Sequence, residues 1–142
     1  MNSVRIVAVF AENRPGWLAR VTRVVADASA NIHWLGIASL ERFGVIRLLV
    51  SRCDLVFQRL QAAGFTVSLV DVLAVEVADQ PGSLHTIATL LSDQGLSLTN
   101  CSGFVFNNRA ILLLELPDLD RALAGLTAHG ARLLTEDQLL HL

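Results

Sequence analysis

The sequence predicts an α+β fold: two βαββαβ units in tandem, each an antiparallel sheet with its helices on one face. Three observations carry this. A constant offset lays Pro15-Gly16 on Pro81-Gly82 and, without a gap, aligns Leu18 with Leu84, Asp27 with Asp93, Leu48 with Leu114, Leu60 with Leu126 and Gly64 with Gly130. Short apolar runs of strand length alternate with helical periodicity in the same order in both halves. At 53% apolar and 17% charged residues, a chain of 142 residues collapses rather than staying disordered.

In the first copy, residues 4–11 form an apolar strand. Pro15 suits the first turn of a helix, where its missing N–H is no loss. Leu18, Val21, Val25 and Ala28 then mark a buried stripe, with Arg20, Arg23 and Asp27 on the opposite face. Residues 31–40 form a second strand, Glu41-Arg42-Phe43-Gly44 turns, and 45–51 returns as its hairpin partner. A helix over 54–63 closes at Gly64, and 65–69 makes the fourth strand.

The second copy repeats the order. Residues 70–78 form a strand, and Leu84, Ile87 and Leu91 mark the buried face of a helix over 81–94. Residues 96–106 and 109–116 pair through Asn107-Asn108. A helix over 118–129 stops at Gly130, and Leu133 lies in the last strand. Thr135-Glu136-Asp137-Gln138 has the pattern of a capping box, which predicts a short helical turn in the tail. The unit boundaries are thus 1–69 and 70–142. Val67-Ser68-Leu69-Val70-Asp71-Val72-Leu73 joins them without Gly or Pro and stays β-like.

This unit is the ferredoxin-like, split βαβ arrangement. A sheet covered on one face should alternate apolar and polar residues. Ile6-Val7-Ala8-Val9-Phe10, Leu48-Leu49-Val50 and Ile111-Leu112-Leu113-Leu114 do not. A sister repeat, another chain or both must cover the second face, and a fused pseudo-dimer that associates into a homodimer is the expectation.

Composition excludes several classes. A formal charge of -2 from 11 basic and 13 acidic residues gives no footprint for nucleic acid or anionic membrane. No segment approaches the roughly 20 apolar residues of a membrane-spanning helix, and the N-terminal run lacks a signal peptide's cleavage pattern. Cys53 and Cys101 read as reduced thiols of a cytoplasmic protein, the alternative being one isolated bridge. His33, His85, His129 and His141 show no zinc-ligand spacing. With no nucleophile elbow, phosphate loop or dinucleotide fingerprint either, the reading is a non-enzyme without metal or cofactor.

The Pro-Gly bends carry the remaining signal. Glu12-Asn13-Arg14-Pro15-Gly16-Trp17-Leu18 and Ala78-Asp79-Gln80-Pro81-Gly82-Ser83-Leu84 each join the first strand of a copy to its first helix. The opening N–H groups of a helix lack intrahelical acceptors and sit at the positive end of the dipole. Glycine lets a ligand approach the main chain, so a small carboxylate is the natural guest. Asn13 or Asp79 could bond the helix start or a ligand ammonium. The plainer alternative is that each bend only starts a helix. Trp17 and Trp34, present in the first copy alone, could wall a pocket or simply fill a core.

The Asx-x-Pro-Gly-x-Leu bends at 13–18 and 79–84, the Asn31-Ile32 pair opening a strand, and the doubled βαββαβ order together resemble the ACT domain family, the small-molecule-sensing modules of amino-acid metabolism. Stand-alone tandem members are the closest resemblance, over about residues 4–69 and 70–134. The resemblance implies an amino acid bound at interfaces between units, regulating a metabolic enzyme as partner. It nominates Asn13, Arg14, Pro15, Gly16, Trp17 and Leu18 with Asn31, Ile32 and His33. In the second copy it nominates Asp79, Gln80, Pro81, Gly82, Ser83 and Leu84 with Ser97, Leu98 and Thr99. Asn13 stands where the family pattern has aspartate, and Ser97 where it has asparagine, which leaves open whether one copy binds or both. The alternative is a dimerisation or docking module without a functional ligand site.

Overall fold

The computed structural model describes residues 3–142. Its elements follow the expected order: β1 (Val4–Glu12), α1 (Trp17–Asp27), β2 (Ile32–Leu40), β3 (Phe43–Val50), α2 (Cys53–Ala62), β4 (Thr66–Ala78), α3 (Ser83–Asp93), β5 (Asn100–Phe106), β6 (Arg109–Glu115), α4 (Leu119–Ala128), β7 (Arg132–Leu134) and α5 (Glu136–Leu140). The chain divides into two compact units, Arg5–Val70 and Asp71–Leu142, the latter also taking in Ser3 and Val4. The boundary falls inside one unbroken strand. Without a breaker between Phe65 and Ala78, the fourth and fifth expected strands fuse into the 13-residue β4.

In the N-terminal unit the strand order is β2-β3-β1, with β4 beside β1. Val7, Val9, Ile46, Leu48 and Val50 point toward α1 and α2, whose Val21, Val25, Val56 and Leu60 complete a core that excludes water. Burying a side chain of this size stabilises by about 1.5–3 kcal/mol relative to leaving it exposed. In the C-terminal unit the order is β5-β6-β4, with β7 on the other side of β4. Leu73, Val75, Leu112 and Leu114 meet Ile87 and Leu91 of α3 and Ala122 and Leu126 of α4. The face away from the helices is divided in the N-terminal sheet. Ile6, Ala8 and Leu49 are buried, whereas Phe10, Leu40 and Phe43 are 45%, 82% and 69% exposed.

The two expected glycine closures are present. After α2 and α4, Gly64 (φ 91°) and Gly130 (φ 75°) take left-handed backbone. The next residue's N–H then reaches back five residues, Phe65 to the Leu60 carbonyl (3.1 Å) and Ala131 to that of Leu126 (3.0 Å). Thr135 and Gln138 form the reciprocal capping box that opens α5.

Three expectations are corrected. The Pro15 and Pro81 helices begin two residues later than the prolines, because each proline belongs to a turn (below). Phe43 and Gly44 are strand residues, so the hairpin turns through Glu41-Arg42 alone, with Leu40 opposite Phe43. β5 begins at Asn100, not at 96. The Leu96 N–H is committed to the Leu91 carbonyl at the end of α3 (3.0 Å), and Leu96 packs into the core instead of entering the ladder. Ser97, Leu98 and Thr99 therefore lie in the approach to the strand.

Candidate functional site

The Pro-Gly bends are type II β-turns. Trp17 N–H donates to the Arg14 carbonyl (3.1 Å) and Ser83 N–H to that of Gln80 (3.3 Å). Gly16 and Gly82 share φ 90° and ψ −10°, the third-position geometry of a type II turn, where proline is favoured just before and only glycine is unstrained. Nothing lies within 4 Å of where a Cβ would stand on either glycine. Each bend thus presents bare main chain. Among the described residues, no acceptor from the chain reaches the N–H groups of Gly16, Leu18 and Ala19, or of Gly82, Leu84 and His85.

The side chains expected to cap these helices do not. Neither α1 nor α3 has a side-chain cap. Asn13 is drawn instead to the β2–β3 hairpin: its N–H donates to the Arg42 carbonyl (2.6 Å) and its Nδ2 to Ser39 Oγ (3.2 Å). That fixes the bend against the tip of the sheet.

Beside the first bend lies a pocket of about 350 Å³. The end of β1 supplies Phe10, Ala11 and Glu12, the turn supplies Arg14 and Pro15, α1 supplies Trp17 and Arg20, and the α2–β4 joint supplies Gly64, Phe65 and Thr66. Arg14 Nη2 pairs with Glu12 Oε2 at 2.7 Å, and the Arg20 guanidinium lies 5.2 Å from the Phe65 ring centre. Both signs of charge are therefore present next to exposed amides. Trp17 is 4% exposed and belongs to the core. Its indole Nε1 is buried without a hydrogen-bond partner. A Cβ on Gly44 would meet its ring at 3.1 Å, so the absent side chain at Gly44 makes room for the indole.

Of the nominated residues, Arg14, Pro15 and Trp17 border this pocket. Sequence reasoning missed Phe10, Glu12, Arg20, Phe65 and Thr66. They come from β1, α1 and the α2–β4 joint, segments distant in sequence that periodicity alone does not bring together. Trp34 does not join Trp17. It pairs with Leu49, between Leu48 and Val50 that face the helices, so it points to the opposite face.

Nor does one unit bring both halves of the nominated set together. Phe43 lies opposite both Glu12 and Leu40, while Val50 lies opposite Ile32. Asn31, Ile32 and His33 are thus at the far end of β3 from Asn13 to Leu18, about 23 Å away at ~3.3 Å per residue. In the C-terminal unit, Thr99 N–H donates to the Glu115 carbonyl (2.8 Å), whereas Ala78 pairs with Arg109 at the other end of β6. Ser97, Leu98 and Thr99 are separated in the same way from Asp79 to Leu84. Among the described residues no cluster of His, Cys, Asp and Glu could hold a metal ion, and no helix is long and apolar enough to cross a membrane.

Comparison with known proteins places this geometry. No curated protein matches the chain. Protein BT0572 from Bacteroides thetaiotaomicron is 28% identical, the match covering 99% of this chain and 98% of that one, with a TM-score of 0.93. The regulatory subunit of aspartate kinase from Thermus thermophilus, in a ligand-free form, is 12% identical over 90% of this chain and 91% of that one, with a TM-score of 0.63, and shares the fold. The aspartate kinase of Clostridium acetobutylicum is 12% identical over 88% of this chain and 32% of that one, with a TM-score of 0.52. The family model of the ACT domain pair matches residues 2–142. The chain belongs to the ACT domain family, as an ACT domain pair.

Proposed function

We propose that the protein is a non-catalytic regulator of amino-acid metabolism that binds a small amino acid at the first Pro-Gly bend. The observation that carries this is the set of unpaired Gly16, Leu18 and Ala19 N–H groups beside a pocket holding Glu12, Arg14 and Arg20. The amides and the helix dipole suit the ligand carboxylate, and Glu12 suits the ammonium. The regulatory subunit of aspartate kinase, similar in fold, supports a regulatory role over a catalytic one.

The second half of the nominated set arrives from a second copy. β2 pairs with β3 alone among the described strands, and from Ile32 to Leu40 it carries no Asp, Glu, Lys or Arg, the condition for pairing with another chain. Antiparallel pairing of β2 with its twin about a two-fold at Gly36 overlaps the whole strand. It sets the partner's His33 opposite Ser39, the residue to which Asn13 is bonded. The strand start of one chain then adjoins the bend of the other. Sedimentation as a dimer supports this arrangement, and a monomer at micromolar concentration contradicts it.

A thermal-shift screen of the twenty amino acids tests binding. At a hundredfold excess over Kd, mass action stabilises by about 2.7 kcal/mol, which at ~3 °C per kcal/mol raises Tm by about 8 °C. Gly16→Val, strained at φ 90° and closing the approach to the amides, is expected to abolish the shift, while Gly82→Val preserves it. If no amino acid moves Tm, the docking-module reading takes over. The exposed Phe10, Leu40 and Phe43 favour that reading.

A further inference from the structure

We propose that the C-terminal unit carries a second site, independent of the Pro-Gly bends: a pocket for a small oxyanion between Arg109 and Arg132. Glu76 on β4 is flanked on its two sides by β6 and β7, and its side chain is only 11% exposed. Arg109 Nε donates to its Oε1, and Arg132 Nε lies 2.8 Å from its Oε2. Arg109 thus spends its Nε on the carboxylate, while Arg132 is held beside it as an ion pair whose Oε2 is buried and accepts no hydrogen bond. Among the described residues, no acceptor engages the terminal NH2 groups of either arginine.

These ends border a pocket of about 370 Å³, together with Gln138 and His141 of the tail. Asp137 also borders it and is paired with His141, Nδ1 to Oδ1 at 3.4 Å. Two guanidinium forks held against Glu76, with their terminal donors unoccupied, match the two oxygens of a carboxylate or the face of a phosphate. Glu76 acts as a positioning residue that holds both forks.

The repeat argues that this cluster is not required by the scaffold. Glu76, Arg109 and Arg132 occupy the positions of Phe10, Phe43 and Thr66 in the first copy, with Glu12 opposite Phe43 as Ala78 is opposite Arg109. The same fold is completed there without a charge at any of the three. Three charges placed on an otherwise equivalent sheet end, the two arginines lining a cavity, point to a ligand rather than to folding.

The test is calorimetric titration of the full chain at low ionic strength, where exposed guanidinium groups are least screened, with inorganic phosphate and succinate as probes. Saturable one-site binding of either probe is expected, and the arm that binds distinguishes phosphate from carboxylate recognition. Arg132→Gln, at a side chain 70% exposed and so without cost to the core, is expected to weaken binding by about tenfold or more. Gly16→Val leaves it unchanged, which separates this site from the bend. The proposal is overturned if neither probe saturates by about 10 mM, a concentration that reveals any charge-assisted site tighter than millimolar, or if Arg132→Gln binds as the parent does.

Discussion

Replacing Trp17 by phenylalanine separates the two roles this residue combines. The indole is buried at 4% exposure and its Nε1 has no acceptor. A buried donor left without a partner costs about 1–3 kcal/mol of desolvation. Phenylalanine removes that donor, and so recovers that free energy. Against it stands the smaller ring: a loss of about 40 Å³ at ~24 cal/mol per Å³ of residual cavity, plus about 1 kcal/mol of transfer free energy for the missing carbons, or about 2 kcal/mol together. The opposing contributions nearly cancel, so Trp17→Phe is expected to shift stability by no more than about 1 kcal/mol. Trp17→Ala also removes the donor but leaves a far larger cavity, and costs about 3–5 kcal/mol. Urea unfolding followed by circular dichroism measures both, with the midpoint carrying the difference if the slope is unchanged. Should Trp17→Phe cost 3 kcal/mol or more, the indole N–H is partnered in solution, and the orphan donor at the pocket wall is refuted.

Three further outcomes are expected. Gly44→Ala places a Cβ 3.0 Å from the Ala38 carbonyl oxygen and 3.1 Å from the Trp17 ring, and because the first neighbour is backbone, unfolding in urea is expected to show a loss of about 1–3 kcal/mol. The Arg109 hydrogen bond holds the Glu76 carboxyl below the usual carboxylate range, against the opposing effect of burial. The unfolded chain therefore binds the proton first, and the stability that Glu76 contributes is present above its unfolded pKa and lost as pH falls through the folded value. Glu76→Gln is expected to flatten the acid limb of a Tm–pH profile, and an identical slope contradicts this. Neither cysteine is disulfide-bonded, with Cys53 buried and Cys101 exposed. A thiol reagent is expected to titrate Cys101 in the native protein and Cys53 only on unfolding, and since partial burial pushes the Cys101 thiol up, its rate keeps rising at alkaline pH.

The order of elements was legible because apolar spacing and punctuation act locally. Gly64, Gly130 and the Thr135–Gln138 box were readable for the same reason: each is a short-range hydrogen-bond pattern that few residue types satisfy. What escaped was set by competition between local signals. Pro15 fits both a helix start and a type II turn, and Gly16 decides for the turn by taking φ 90°. Leu96 looks like strand, yet its N–H is already used by the helix before it. The pocket wall was hidden for a different reason. Phe10, Arg20 and Phe65 are far apart in sequence and meet only once β1, α1 and the α2–β4 joint are packed, and Asn13 bonds Ser39, distant in sequence, rather than the helix start.

The two bends share their backbone angles, so main-chain amides alone cannot tell one copy from the other. Any difference in affinity must come from the surroundings. Beside the first bend Trp17, Arg20 and Phe65 line a pocket; the repeat places Ser83, Thr86 and Ala131 at those positions in the second. A wall that excludes water strengthens each N–H to carboxylate bond, because the competing solvent is removed and the local dielectric falls. The second bend offers the same donors to a ligand that stays hydrated. Grafting the wall is therefore the decisive case: if amides supply the affinity and the wall the enclosure, Ser83→Trp and Ala131→Phe, with Ala110→Gly to make room for the indole as Gly44 does, should together give the second copy an amino-acid response that survives Gly16→Val.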